Sequence, residues 1–181
     1  MTKNEKNAIT NSEVALPCYQ SGIKVVQSGQ GADELFAGYF WYPQMQQATG
    51  SDVSRFSPYY VDRDHNEFLQ SVNALYGQSD YTGDYLKNYF QQLSHSRSFL
   101  SKALHLDITT LIVDDPVKRV DNMTMAWGLE ARVPFLDHHL VELVMQMPAK
   151  YKVGQAGLKH MLQKIARGKI LDSIIDGPKG Y

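Results

Sequence analysis

The pattern of apolar and polar positions predicts one short strand and six or seven helices. Ile23-Lys24-Val25-Val26 is a mainly β-branched run between Gly22 and Gly29, which is typical of a buried strand. A glycine-containing turn follows at residues 28–31, and residues 32–37 begin a helix with acidic side chains in its first turn. This strand, glycine loop and helix form the clearest local unit of the chain.

Helical periodicity continues beyond this unit. Asp64 is predicted to cap a helix whose shared apolar face ends before Gly77 and contains Phe68, Leu69, Val72 and Leu75. Further helices are predicted over 84–92, 99–112, from Pro116 in a first turn towards Gly128, over 138–147 with Asp137 as N-cap, and over 157–167. Because one strand cannot form a sheet, its partners are expected in the first 22 residues or on chain outside this sequence.

Composition narrows the class of protein. The 181 residues are 43% hydrophobic, which is enough for a core, and 18 basic against 19 acidic side chains give a net charge of −1. Such a charge gives no general attraction to nucleic acid or to an anionic membrane, and no run reaches the ~20 apolar residues that span a bilayer. The single cysteine, Cys18, excludes an internal disulfide and fits a reducing compartment. We therefore expect a cytoplasmic globular protein with no nucleic-acid or membrane partner.

Three segments could carry chemistry. The loop Ser28-Gly29-Gln30-Gly31 before a helix can approach a phosphate closely, and Asp33 and Glu34 suit a phosphate carried with Mg²⁺. Lys179 could be a positioned charge for a phosphoryl group, and Asp115 with Arg119 lies in a charged segment that could bind a metal or an ionic substrate. On spacing alone, a tight turn, a solvated lysine and a capped helix start explain these segments better.

Longer motifs indicate a family. Residues 25–39, which include Ser-Gly-Gln-Gly-Ala-Asp-Glu, resemble the Ser-Gly-Glu-Gly-Ala-Asp-Glu signature of the asparagine synthase family. Residues 119–137 resemble that family's second signature almost throughout, and Lys159 and residues 178–181, Pro-Lys-Gly-Tyr, resemble its last two landmarks in the correct order. The resemblance covers residues 23–181, whereas residues 1–22 form a poorly matched N-terminal segment. Within the family, the N-acetylglutaminylglutamine amide synthase branch is the most similar, because it likewise has Gln where asparagine synthases have Glu.

The resemblance implies a fold and a reaction. The fold is expected to be predominantly α with a small remnant of a parallel sheet, as the C-terminal part of an α/β adenine-nucleotide α-hydrolase-like (PP-loop ATP pyrophosphatase) domain. The family activates a carboxylate with ATP as an acyl-adenylate, releases pyrophosphate and forms an amide with ammonia from glutamine. The implied cofactors are ATP and Mg²⁺, and the implied partners are a small carboxylate substrate and that ammonia.

Site residues follow from the same resemblance. Lys179 and Gln30 are the implied catalytic residues, and Asp33 is the implied Mg²⁺ ligand. Binding of ATP or the intermediate is expected at Ser28, Gly29, Gln30, Gly31, Asp115 and Arg119. Gln30 cannot act as a general base, because an amide has no basic site near neutral pH, but it can donate and accept hydrogen bonds.

The departures from the family are also informative. The sequence has no Ser-Gly-Gly-x-Asp-Ser pyrophosphate loop and no cysteine at residue 2, where Thr2 stands, and Gln163 and Gly177 occupy positions at which the family often has arginine. We expect a partial synthetase domain that is inactive alone, or alternatively a non-enzymatic helical remnant or interaction module. Half a domain should leave the face around Val25 and Val26 partly uncovered, so self-association or a missing N-terminal half is the expected partner.

Overall fold

The computed structural model describes residues 15–73, 75–93, 98–154 and 157–177, and these are mostly helical. Residues 15–20 form helix α1. The later helices are α2 (Ala32–Phe36), α3 (Trp41–Gln47), α4 (Asp52–Tyr60), α5 (His65–Leu69), α6 (Tyr81–Gln92), α7 (Phe99–Leu106), α8 (Lys118–Met125), α9 (His138–Met145), α10 (Ala149–Lys152), α11 (His160–Ala166) and α12 (Asp172–Ile175). Two π-helical segments, Asp107–Leu111 and Val113–Val117, connect α7 to α8, so that one long helix runs from Phe99 to Met125.

A small parallel sheet is present, as predicted. Strand β1 (Val25–Gln27) pairs with β2 (Glu130–Arg132), and Val26 lies opposite Ala131. The predicted location of the partner strand was wrong, because β2 lies neither in the first 22 residues nor outside the sequence. A three-residue strand with one apolar side chain has no local signal, and only its pairing with β1 defines it. Whether the sheet belongs to a PP-loop domain stays a prediction, as does the division at residue 22.

Strand β1 is less buried than its sequence predicts. Ile23 and Val25 are 43% and 44% exposed, and Val26 is half-buried. The β-branched run had indicated a fully buried strand, which requires layers on both faces. The observed exposure agrees instead with the expectation of a partly uncovered face around Val25 and Val26.

The hydrophobic core lies between α2, α3, α4, α6, α7 and α9. Its most buried members include Leu35, Tyr42, Met45, Phe56, Phe90, Leu100, Leu104 and Leu106. This core fixes the helix that follows the glycine loop, because α2 contributes both Leu35 and Phe36 to it. None of the described helices is both long enough and apolar enough to span a bilayer.

Helix boundaries show where local signals succeed and fail. Asp64 caps α5 through a capping box with Glu67, as predicted, but α5 ends at Leu69 and not near Gly77. The expected apolar face is not buried, since Leu69 is 41% and Leu75 72% exposed. Pro116 does not start a new helix but lies inside a π-helical segment of the long helix. The Asp137 cap of α9 is confirmed, with bonds from His139 N and Leu140 N.

Candidate functional site

The loop between β1 and α2 lies at the carboxyl edge of the parallel sheet. Ser28 N donates to Arg132 O at 2.8 Å, which extends the pairing of the strands into the loop. Gly31 has φ +92°, and a Cβ on it would lie 2.7 Å from Leu136 Cγ. Leu136 belongs to a 3₁₀ turn, Pro134–Leu136, that follows β2. The two motif segments of the sequence therefore meet here, which the sequence alone could not show.

The four predicted loop residues lie side by side. Ser28 Oγ donates to Gln30 Oε1, and both side chains are half-buried. Gly29 is exposed, and a Cβ built on it would meet no atom within 4 Å. The backbone at Gly29 is therefore open to a ligand, with Gln30 held beside it.

Asp33 forms an ion pair with Lys159, a residue that is not among the predicted site residues. Lys159 Nζ lies 3.0 Å from Asp33 Oδ1, and the two side chains are 25% and 22% exposed. The Asp33 side chain of this ion pair packs closely against Gly38, where an added Cβ would lie 2.8 Å from Asp33 Cγ. Lys159 was recognised as a family landmark, but nothing local to its sequence indicates that it reaches a residue so far away in the chain.

Glu34, next to Asp33, points into the protein. It is only 6% exposed and accepts a hydrogen bond from Tyr39 Oη at 2.6 Å. Burial raises the pKa of the Glu34 carboxyl above its ordinary value, although the Tyr39 bond opposes this, and burial with the nearby Glu34 charge raises the pKa of Tyr39. Tyr39 stacks on Trp41 with ring centroids 4.5 Å apart. The expectation that Glu34 suits a Mg²⁺-bound phosphate together with Asp33 was wrong, because the Glu34 carboxyl is buried against Tyr39.

Asp115 and Arg119 are paired with each other. Arg119 donates a hydrogen bond to Asp115 Oδ1, one helical turn away. The Arg119 side chain is 18% exposed and the Asp115 side chain is 61% exposed. No hydrogen bond or ion pair joins them to residues 28–31 within the described part of the chain. The long helix and the end of β2 border a cavity of about 370 Å³, and neither Asp115 nor Arg119 is among its lining residues. It is lined by Val113, Asp114, Val117, Lys118, Val120, Asp121, Ala131 and Val133.

Lys179 lies outside the described residues, and its implied catalytic role stays a prediction. The described chain leads towards it through α12, whose end is fixed by Arg167. That side chain donates to Asp172 at 2.9 Å and to Asp176 at 2.8 Å. Hydrogen bonds from Arg167 lower the pKa of the Asp176 carboxyl.

Comparison with known proteins decides the family. Residues 14–181 match the profile of the family described as Asparagine synthase. The chain belongs to the asparagine synthase family. No solved structure matches it significantly.

Curated relatives in this family are much longer than the chain. It is 34% identical to asparagine synthetase [glutamine-hydrolyzing] 1 of Bacillus subtilis, in an alignment of 91% of this chain and 32% of that protein. Identity is 28% with the putative asparagine synthetase [glutamine-hydrolyzing] 1 of Methanocaldococcus jannaschii, over 78% of this chain and 19% of the relative. Identity is 30% with asparagine synthetase [glutamine-hydrolyzing] 1 of Saccharomyces cerevisiae, over 73% of this chain and 14% of that relative. The chain thus spans less than a third of the length of these relatives.

Membership of the asparagine synthase family raises the question of whether the described residues could hold ATP and Mg²⁺. Within the described ranges, no group of three or more His, Cys, Asp or Glu side chains could hold a metal ion. Mg²⁺ in nucleotide sites is often held by one or two carboxylates together with phosphate oxygens. Asp33 alone therefore fits a Mg²⁺ ion that arrives with a nucleotide, and does not fit a metal site built by this chain alone.

Proposed function

We propose that this chain supplies part of the synthetase site of an ATP-dependent amidotransferase. One observation carries the proposal: the two motif segments of the asparagine synthase family meet at the carboxyl edge of a parallel sheet. The contact consists of the Ser28 N to Arg132 O bond of 2.8 Å and the packing of Leu136 on Gly31. Ligands of open α/β sheets bind outside the carboxyl ends of the strands, so this edge is where a nucleotide is expected.

The proposed reaction has two steps. A carboxylate oxygen of the substrate attacks the α-phosphorus of ATP, pyrophosphate leaves, and a mixed anhydride with AMP is formed. Ammonia then attacks the acyl carbon, AMP leaves, and the nitrogen loses a proton to give the amide. Glutamine is the proposed ammonia source, because the names of the relatives describe them as glutamine-hydrolysing. Aspartate and N-acetylglutaminylglutamine are the two candidate acids.

The loop residues have separate proposed roles. Gly29 and Gly31 allow the backbone to approach the nucleotide, and Ser28 orients the Gln30 amide through their hydrogen bond. Gln30 then stabilises the intermediate by hydrogen bonding and takes no proton. Proton removal from the attacking ammonia falls to another group or to the substrate.

Charged residues are proposed to act on the leaving pyrophosphate. Asp33 would hold a Mg²⁺ ion bound with the nucleotide, which would neutralise charge on the phosphates, and Lys159 orients the Asp33 carboxylate from 3.0 Å. Lys179 is proposed to stabilise the negative charge that develops on pyrophosphate as it departs. Asp115 and Arg119 are proposed to border the nucleotide on the side of the long helix.

We also propose that the chain is inactive alone, because its 181 residues contain no Ser-Gly-Gly-x-Asp-Ser loop. A chimaera tests this, in which residues 14–181 replace the matching third of the Bacillus subtilis enzyme. Aspartate-dependent pyrophosphate release is expected from the chimaera and not from the chain. In the chimaera, Lys179→Ala should lower kcat on the order of 10²–10³-fold, as loss of one transition-state charge partner typically does. Lys164→Ala, at an exposed position of α11, is the matched control.

Two results would contradict the proposal. Turnover by the isolated chain would refute its inactivity, and a near-normal rate for Lys179→Ala in an active chimaera would refute the role of that lysine. The second candidate function, an interaction module without catalysis, is favoured by Gln30 in place of the family's glutamate. Failure of both the chain and the chimaera to bind Mg·ATP in calorimetry would support that module.

A further inference from the structure

A buried carboxylate lies where the long helix changes its geometry. Asp107 is the first residue of the π-helical segment after α7 and is only 1% exposed. Ile112 N donates to Asp107 O, a bond over five residues that widens the helix at this point. Single π-helical turns inside α-helices are frequently found at functional positions.

Two phenols from different helices converge on one oxygen of this carboxylate. Tyr42 Oη of α3 donates to Asp107 Oδ2, and Tyr60 Oη of α4 donates to the same atom at 2.6 Å. Trp41 Nε1 in turn donates to Tyr60 Oη at 3.1 Å. The other oxygen, Oδ1, is buried and has no hydrogen-bond partner among the described residues.

The surroundings disfavour a negative charge on Asp107. No cation of the described residues forms an ion pair with it. The ionisable groups that act on it are Tyr42 and Tyr60, whose hydrogen bonds favour the ionised form, and Glu34 of α2, whose charge opposes it. Burial outweighs the two hydrogen bonds and raises the pKa of Asp107 from 3.8 to about 7. Tyr39 also senses the Asp107 charge, which contributes to its raised pKa.

We propose that Asp107 carries a proton in the folded chain, and that Asp107, Tyr42 and Tyr60 form a proton-sensitive lock between the long helix and helices α3 and α4. In the neutral form, the carboxyl group accepts both phenols without a buried charge. Ionisation places charge on Oδ1, where no described donor can compensate it, and so weakens the packing of α3 and α4. This inference goes beyond the proposed function, since none of the three residues belongs to the proposed synthetase site.

The direction of the pH effect follows from the raised pKa. The unfolded chain ionises this side chain near pH 3.8, whereas the folded chain holds the proton up to about pH 7. The contribution of Asp107 to stability is therefore greatest below pH 3.8 and is lost as the pH rises towards 7. Asp107→Asn, which imitates the neutral acid, should remove this dependence.

Carbon-13 NMR of the aspartate carboxyl groups in the full chain measures the protonation directly. The resonance absent from Asp107→Asn identifies the residue, and its midpoint is expected near pH 7. Tyr42→Phe removes a donor that favours ionisation, so the midpoint should rise by about one unit. Tyr59→Phe is the matched control on α4, because the Tyr59 hydroxyl is outside the cluster, and it should leave the midpoint unchanged.

Trp41 emission, measured in a Trp127→Phe background, reports on the lock. It should change with the same midpoint as Asp107 and become independent of pH in Asp107→Asn. A midpoint within about one unit of 3.8 would overturn the proposal, because aspartates in folded proteins scatter by that much. Titration of Asp107 without a matching change in Trp41 emission would overturn the lock. If Asp107→Asn does not fold, the absence of an upward shift in Tyr42→Phe is the overturning result.

Discussion

Replacement of Gly31 by alanine should test the contact between the two motif segments. Gly31 has φ +92°, a backbone region that side chains with a Cβ rarely adopt, and its Cβ would lie 2.7 Å from Leu136 Cγ. The substitution therefore combines backbone strain with a clash against the turn that follows β2. Strain at positive φ costs about 1–2 kcal/mol, and overpacking adds about 1–3 kcal/mol. We expect Gly31→Ala to lower the free energy of unfolding by about 2–5 kcal/mol in total.

Gly128→Ala is the matched control for strain. Gly128 has φ +65°, and a Cβ there would meet no atom within 4 Å. It should lose only the strain contribution of about 1–2 kcal/mol. Urea unfolding of the full chain, followed by circular dichroism, measures both variants.

A double-mutant cycle separates the clash from the strain. Leu136→Ala shortens the side chain that the new Cβ would meet, so Gly31→Ala should cost less in that background and approach the cost of Gly128→Ala. Equal costs for Gly31→Ala and Gly128→Ala, together with no coupling to Leu136, would show that the loop and the turn after β2 do not pack as described.

Three further predictions concern the side chains around the site and the helix caps. Tyr39→Phe removes a hydrogen bond that lowers the pKa of Glu34, so it should reduce the free energy of unfolding more near neutral pH than near pH 4. Equal losses of stability in urea unfolding at the two pH values would contradict this prediction. Lys159→Met and Asp33→Asn should show a coupling energy of about 0.2–1 kcal/mol that decreases with salt, and a coupling unaffected by salt would argue against an ion pair. Asp64→Ala should remove the capping box and destabilise α5 by about 1 kcal/mol. Amide hydrogen exchange in α5 should then be about five-fold faster, and unchanged exchange there would exclude the cap.

The strand, glycine loop and helix at residues 25–36 could be read from the sequence, because each depends on neighbouring residues. β-branched side chains favour extended backbone, glycines permit the turn, and acidic side chains favour the start of a helix. The caps at Asp64 and Asp137 were predictable for the same reason. The four loop residues of the candidate site were found together because they are consecutive in the chain.

Burial was harder to predict. The same periodicity that predicts a helix after Asp64 also predicts a buried face, yet Leu69 and Leu75 remain exposed. Asp107 carries no sequence signal, since it is one of several polar residues in a helical run, and the hydroxyl groups of Tyr42 and Tyr60 reach it from other helices. Periodicity shows which side chains share a face, but not what covers that face.

By itself, the sequence determined the strand, glycine loop and helix at residues 25–36, the caps at Asp64 and Asp137 and, through two motifs, the family of the chain. The tertiary structure decided that Glu130–Arg132 is the partner of β1, that Lys159 reaches Asp33, and that Glu34 turns inward. The physical reason is the range of the interactions. Caps, turns and helix starts are fixed by atoms a few residues apart, whereas strand pairing, ion pairs and burial depend on residues that only the folded chain brings together.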